Sequence, residues 1–238
     1  MKRENRIGEK HTTKEGYEVE IVEYINNTNC TLKFKSDILL YKIQYDNVKR
    51  GKVSYPFHRT LYGVGFLGIG NYTSSKNRKI YISWANMFKR CYSELEEAYK
   101  NTRVCDDWHN FQVFAEWFDK NYIEGFALDK DILVKGNKIY SPETCCFVPQ
   151  EVNNLFVKSK REDGESVLGV YHIKKTNKFR ANIGIGKRHS KHIGNFSTSE
   201  EAFQAYVIAK EERVRELANK WKNIINIKVY QALLNYKV

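Results

Sequence analysis

Alternation opens the chain. In GYEVEIVEYI, residues 16–25, polar and apolar positions alternate, which is the period of a strand with one buried face. INNTNC supplies a turn, TLKFK resumes a strand, and YDNVKRGKVSYP continues with a turn at Arg50-Gly51, so residues 1–60 read as a small β-module of barrel-like character. The period changes near residue 79. Trp84, Met87, Phe88 and Cys91 recur at helical spacing with Lys89 and Arg90 beside them. In DDWHNFQVFAEWFDKNY, Trp108, Phe111, Phe114, Ala115 and Phe118 share one helical face, with Asp106 or Asp107 as the N-cap. This aromatic stripe is read as core, not as a platform for stacking bases.

Between these regions, YGVGFLGIGNYTSSKN carries G-x-G-x-x-G at Gly63, Gly65 and Gly68. A dinucleotide site needs those glycines between a strand and a helix N-terminus. Here they run into Asn71-Tyr72-Thr73-Ser74-Ser75, a turn-like stretch, so residues 61–78 read as a linker or as a loop laid along another module. Downstream, LDKDILVKGNKIYSPETCCFVPQEVNNLF, residues 128–156, reads as strand, loop, strand and helix. It completes a segment 79–157, and a basic linker, 158–168, follows.

From Gly169 to the end, three short strands precede an amphipathic helix, and a last helix over about 223–236 carries Ile224, Ile225, Val229, Leu233 and Leu234. In KFRANIGIG, parity sends Phe179, Ala181, Ile183 and Ile185 inward and Lys178, Arg180, Asn182 and Gly184 outward. Ile193 is inward, which sends His192 and Gly194 outward. Thr198 or Ser199 caps the helix, Glu200 and Glu201 favour its first turn, and Ala202, Phe203, Ala205, Tyr206 and Ala209 lie across the back of the sheet.

Charge gives this outer face a meaning. The 238-residue chain has a formal net charge of +12. Residues 158–191 hold ten Lys or Arg against three acids, a net of +7, more than half of that excess. A basic face of this kind suits a polyanion. Double-stranded DNA is the expected partner, with Arg180 and Asn182 reading base edges and Lys174, Lys175, Lys178, Lys187 and Arg188 holding phosphates. An apolar fraction of 42% argues against a disordered tail. No apolar run reaches membrane-spanning length, and MKRENRIGEK lacks a signal-peptide core. The five cysteines are therefore expected as free thiols in a reducing cytoplasm. Cys91, Cys105, His109, Cys145 and Cys146 contain no C-x-x-C, and adjacent strand cysteines face opposite ways, so no zinc is expected.

The run from Gly169 to about Ala209 resembles the AP2 DNA-binding domain. It does so through Gly169-Val170, Phe179-Arg180-Ala181-Asn182-Ile183, Ile193-Gly194-Asn195-Phe196, Thr198, Glu200-Glu201-Ala202 and Ala205-Tyr206. The resemblance implies a three-stranded sheet in the major groove with Tyr171, Asn182 and His192 at contacting positions. Family members often carry Arg and Trp where this chain has Tyr171 and His192, so the target sequence does not transfer.

The 128–156 stretch resembles the HNH-like proteins of bacteriophages in its aspartate, its YSPE-C segment and its terminal Asn pair. Trp84, Met87, Arg90-Cys91, Tyr99, Val104, Trp108, Phe111, Phe114 and Trp117 extend the likeness upstream. Together these imply an α+β protein: an N-terminal β-module, a central helical and ββα-metal module of the His-Me finger kind, and a C-terminal AP2-like sheet with helices. They also imply a homing-endonuclease-like activity in the bacterial cytoplasm, with Asp129 and Asn153 holding Mg²⁺ or Mn²⁺ and Asp131 and Glu143 as nearby oxygen donors.

The family's usual Asp-His is Asp129-Lys130 here, and a charged lysine is a poor base. Three readings stand: Lys130 steadies the scissile phosphate while His109 or a metal-bound hydroxide acts as base; Lys130 is a phosphate contact in a module that does not cut; or the aspartates cap a turn. The functional expectation is a metal-dependent, site-selective DNA endonuclease. Its alternatives are a non-cleaving DNA-binding or regulatory protein and a phage inhibitor that binds a host protein.

Overall fold

The computed structural model describes residues 5–93, 99–156, 167–186 and 189–238. Most of the basic linker and both Lys187 and Arg188 lie outside the described residues.

Strands β1 (Lys10–Thr12), β2 (Glu18–Asn26), β3 (Asn29–Phe34) and β4 (Leu39–Ile43) form an antiparallel sheet in chain order. Helix α1 (Tyr45–Lys49) follows. Val19, Ile21, Leu32 and Phe34 bury the inner face against Val48 and Val53, as the alternation in β2 predicts. The barrel expectation needs correction. The bonded order does not return from β4 to β1. Instead, the chain leaving α1 meets the end of β1, where Lys14 N donates to Gly51 O at 2.9 Å.

The glycine-rich segment is a strap laid on the central module. Phe66 N donates to His109 O and Phe111 N donates to Phe66 O, both at 2.9 Å. Gln112 fastens it: Nε2 donates to Leu67 O (2.9 Å) and Tyr72 O (3.0 Å), while Oε1 accepts from Tyr72 N (3.0 Å). At Gly70 an added Cβ would lie 2.3 Å from Gln112 Oε1, and at Gly68 (φ +69°) 2.2 Å from Asn110 Oδ1. These two glycines serve close approach of backbone to side chain, not phosphate binding.

Helices α2 (Arg78–Tyr92) and α3 (Phe111–Asn121) are the two that the 3.6-residue period predicts. Their aromatic faces build the first core, including Trp84, Phe88, Trp108, Phe111, Phe114 and Phe118. Neither Asp106 nor Asp107 caps α3. Asp106–His109 form a separate 3-10 turn, and Asn110 caps α3 by accepting from Gln112 N at 3.0 Å. Trp108 can enter the core only if the chain tightens ahead of the helix, and that moves the cap downstream.

Next, β5 (Arg103–Val104) pairs in parallel with β7 (Ile139–Tyr140), and β6 (Phe126–Asp129) pairs antiparallel with β8 (Cys146–Pro149). Helix α4 (Gln150–Phe156) follows β8 directly. Strand β8 and the residue before it form a wall between two cores. Cys145 and Phe147 belong to the first core, whereas Cys146 and Val148 belong to the second, the opposite facing expected of neighbouring strand residues.

The C-terminal sheet has the order β11-β10-β9, from β9 (Val170–Ile173), β10 (Lys178–Gly186) and β11 (His189–Phe196). Helix α5 (Ser199–Trp221) begins with a capping box between Thr198 and Glu201. Its first half packs Ala202 and Tyr206 on Val170, Ala181 and Ile183. Its second half packs Val214, Leu217 and Ala218 with Val148, Val152 and Leu155, and with Val229 and Leu233 of α6 (Ile227–Leu234). The second core therefore joins residues on both sides of the 158–168 linker. The last helix starts later than its apolar spacing suggests, because Asn226 caps it by accepting from Lys228 N. Among the described residues no helix is long and apolar enough to cross a membrane.

Two positions in the sheet depart from simple parity. Ala181 pairs with Gly194 but Asn182 pairs with His192, so Ile193 is an extra residue in β11. This bulge puts Gly194, like Ile193, on the α5 side, where an added Cβ would lie 3.0 Å from the Phe196 ring. Ile185 is 47% exposed. It lines a cleft between the sheet's end and α5 instead of filling the core.

Candidate nucleic-acid interface and adjoining carboxylate

Opposite α5, the three-stranded sheet shows an open face. Arg180 pairs across β10 with Tyr171 on β9 and Asn195 on β11, and Asn182 pairs with His192. Cross-strand partners share a face, so these side chains form two adjacent rows. Tyr171 is 56% exposed, and Arg180, Asn195 and His192 are exposed with it.

The rows are internally braced. Arg180 Nε donates to Asn195 Oδ1 at 3.4 Å, and His192 Nδ1 donates to Asn182 Oδ1 at 3.2 Å. That donation fixes the imidazole tautomer and leaves Nε2 as an acceptor in the neutral ring. Lys174 and Lys175 lie in the β9–β10 turn and Lys178 opens β10, all exposed. The structure thus brings together Tyr171, Arg180, Asn182, His192 and these three lysines; Lys187 and Arg188 fall outside the described residues. Asn195 is a member that sequence reasoning missed as a contact. Its alternation with Ile193 is masked by the bulge, and only the register shows it beside Arg180.

Gly169 sets the start of this sheet. Its φ is +77°, and an added Cβ would lie 2.1 Å from Tyr206 Cδ2. Its carbonyl accepts from Asn182 N at 2.9 Å. The backbone here must be both left-handed and bare, which only glycine allows without strain.

The β6–β8–α4 unit is an antiparallel pair followed by a helix, and α4 also lies against β10. Asp129 ends β6 in a half-buried position. Its Oδ1 accepts from Asp131 N (2.7 Å) and Ile132 N (2.8 Å), which caps the turn that follows. Its Oδ2 has no hydrogen-bond partner among the described residues, yet it is not among their fully enclosed, unpartnered atoms. Burial raises the Asp129 carboxyl above its ordinary value; the two turn N–H groups oppose this, Asp131 adds to it and Lys130 also opposes it.

Lys130 is not a free amine. It is 7% exposed, and Nζ donates to both Asp131 carboxylate oxygens (2.8 and 2.9 Å) and to Asn137 O (2.7 Å). It also lies 5.9 Å and 6.0 Å from the Tyr99 and Tyr140 ring centres. Asn137 returns the contact, donating through Nδ2 to Lys130 O (2.8 Å) and Ile139 O (2.6 Å). This lysine–asparagine clasp holds the loop between β6 and β7. Asn137 also went unmarked as a candidate residue, because nothing local distinguishes it from an ordinary turn asparagine.

Two further candidates make no hydrogen bond to this turn. Asn153 is half-buried on α4, and its side chain has no hydrogen-bond partner among the described residues. His109 is held in the first core's margin, with Nε2 at 3.3 Å from Val104 O and the ring edge-on to Phe88. No hydrogen bond or ion pair links it to Asp129, Lys130 or Asn153. Burial pushes the Cys145 thiol up to about 12 and the Cys91 thiol up to about 11, so both stay protonated near neutrality. All five cysteines are free, and among the described residues no group of three or more His, Cys, Asp or Glu side chains is placed to hold a metal ion.

Searches against protein families, characterised proteins and solved structures return no match to this chain.

Proposed function

We propose that this protein binds double-stranded DNA through the outer face of the β9–β10–β11 sheet, in the manner of the AP2-like domain it resembles. The observation that carries the reading is the pair of side-chain rows on the face opposite α5, Tyr171–Arg180–Asn195 and Asn182–His192. A sheet laid with this face toward the major groove can present such side chains to base edges, where Arg reads guanine and Asn reads adenine, each good pair discriminating by about 1–3 kcal/mol. The lysines beside the rows supply phosphate contacts that fix register without reading sequence. In a gel shift, the Arg180→Ala, Asn182→Ala double variant is expected to lose preference between sequences while retaining salt-dependent affinity. Wild-type preference in that variant would remove the groove-reading model.

A second reading, cleavage, rests on Asp129. The turn uses only Oδ1, and an asparagine would serve that turn without a buried charge. Retaining a carboxylate with Oδ2 unpartnered fits a ligand for a hard divalent cation. Mg²⁺ is commonly held by one or two protein oxygens, with water and substrate phosphate completing its shell, and Asp129 with Asn153 fits that donor chemistry. Such an ion would stabilise charge on the leaving oxygen of a phosphodiester. Asp129 would anchor, and the Lys130–Asn137 clasp would hold the loop behind it. Lys130 itself, committed to Asp131 and Asn137, is a positioning group and not a base. Supercoiled plasmid incubated with Mg²⁺ or Mn²⁺ separates cutting from holding. Nicking that disappears in Asp129→Ala supports cleavage; intact plasmid in both metals, with DNA affinity kept, leaves DNA binding as the activity.

A further inference from the structure

The N-terminal module has no part in the reading above, yet it holds a cleft of about 420 Å³ between β4 and the chain after α1. Leu40, Ile43 and Val53 form its apolar part, and its polar lining is Lys42, Gln44, Asn47, Lys52 and Ser54. Among the described residues no carboxylate lines it, and neither lysine forms an ion pair. The cleft beside Ile185, of about 280 Å³, differs in carrying Glu212 and Glu216.

Lys42 adds an independent observation. Between the pairs Leu32–Leu40 and Cys30–Ile43, Tyr41 and Lys42 stand opposite Thr31 alone, so β4 is bulged. Lys42 occupies the left-handed position of the bulge, at φ +57°, where glycine is the usual residue. A long side chain held in that conformation beside a cleft is the kind of backbone strain that marks ligand sites.

We propose that this cleft is a second nucleic-acid contact, in which Lys42 and Lys52 take a backbone phosphate and Gln44, Asn47 and Ser54 donate to phosphate and sugar oxygens. It rests on the DNA-binding reading and extends the footprint of that reading to the N-terminal module. Every polar group in the cleft is of a kind that contacts the nucleic-acid backbone, so the contact is independent of sequence.

The test is the affinity of the full chain for a panel of duplexes of different defined sequence, measured one by one by anisotropy across a salt series. Wild type is compared with Lys42→Gly, Lys52→Ala and with Arg180→Ala, Asn182→Ala. For the cleft variant, affinity should fall equally on all sequences, and the slope of log K against log salt should shrink by about 1 to 2. Its melting temperature should not fall, because glycine relieves the strain at position 42. An unchanged slope in the cleft variant, while the sheet variant loses sequence preference, overturns the second contact and leaves the first. A wild-type protein with no salt-dependent affinity overturns both.

Discussion

Asp129 and Gly169 each make a prediction that belongs to a single residue. Asp129→Asn keeps an Oδ1 to accept both turn N–H groups and removes a carboxyl that burial disfavours. It should melt no lower than wild type at neutral pH, whereas Asp129→Ala should lose about 0.5–2 kcal/mol, as lost caps do. Thermal denaturation of the two variants side by side checks this; a destabilised Asp129→Asn would mean the charge itself supports the fold. Gly169→Ala faces both a left-handed φ and the Tyr206 ring at 2.1 Å, and should cost more than about 1 kcal/mol. At this scale the sequence was partly legible. Asp129 is marked by its place in the 128–156 stretch beside Asp131, and it does cap a turn, whereas Asp131 is paired with Lys130. That Lys130 is buried and clasped was not legible, because its Asn137 partner is recruited by the fold of the loop and not by any local pattern.

Helices and strands followed from periodicity, but their junctions did not. The alternation in β2 and β10 and the aromatic spacing in α2 and α3 are local, so each element was visible in its own window. The cap of α3 shifted to Asn110 because Trp108 is fully buried and the chain must turn tightly to place it. The glycine-rich strap was legible only as something other than a nucleotide loop; its fastener, Gln112, lies 40 residues or more from the groups it binds. Replacing Gln112 with Leu leaves the Leu67 and Tyr72 backbone groups without these bonds. The loss should be about 1–3 kcal/mol, and limited proteolysis should cut the 61–78 strap faster than in wild type, with the α2–α3 core still resistant. Equal cleavage rates would show that the glycine contacts alone hold the strap.

Across the whole molecule, α5 ties the basic sheet to the β6–β8–α4 unit. Lys210, at 8% exposure, sits between them and donates Nζ to Leu155 O near the end of α4. Burial lowers its pKa from 10.5. The sign follows from proton linkage: as pH rises through the depressed folded value toward 10.5, the native lysine releases its proton before the unfolded one does, so stability rises over that window. Urea midpoints should climb with pH in wild type relative to Lys210→Met, which lacks the titrating group; parallel profiles would refute the burial of a charged amine there.

The sequence alone determined the strand and helix types, the basic excess of residues 158–191 and the outward parity of Lys178, Arg180 and Asn182, since each depends on spacing within a few residues or on composition. Tertiary structure decided how these parts combine. It turned Gly194 inward and Asn195 outward through a one-residue bulge, buried Lys130, and made a single helix serve both the sheet and the β6–β8–α4 unit. Those outcomes depend on which surfaces are covered by residues distant in the chain, and desolvation by such neighbours leaves no trace in local periodicity.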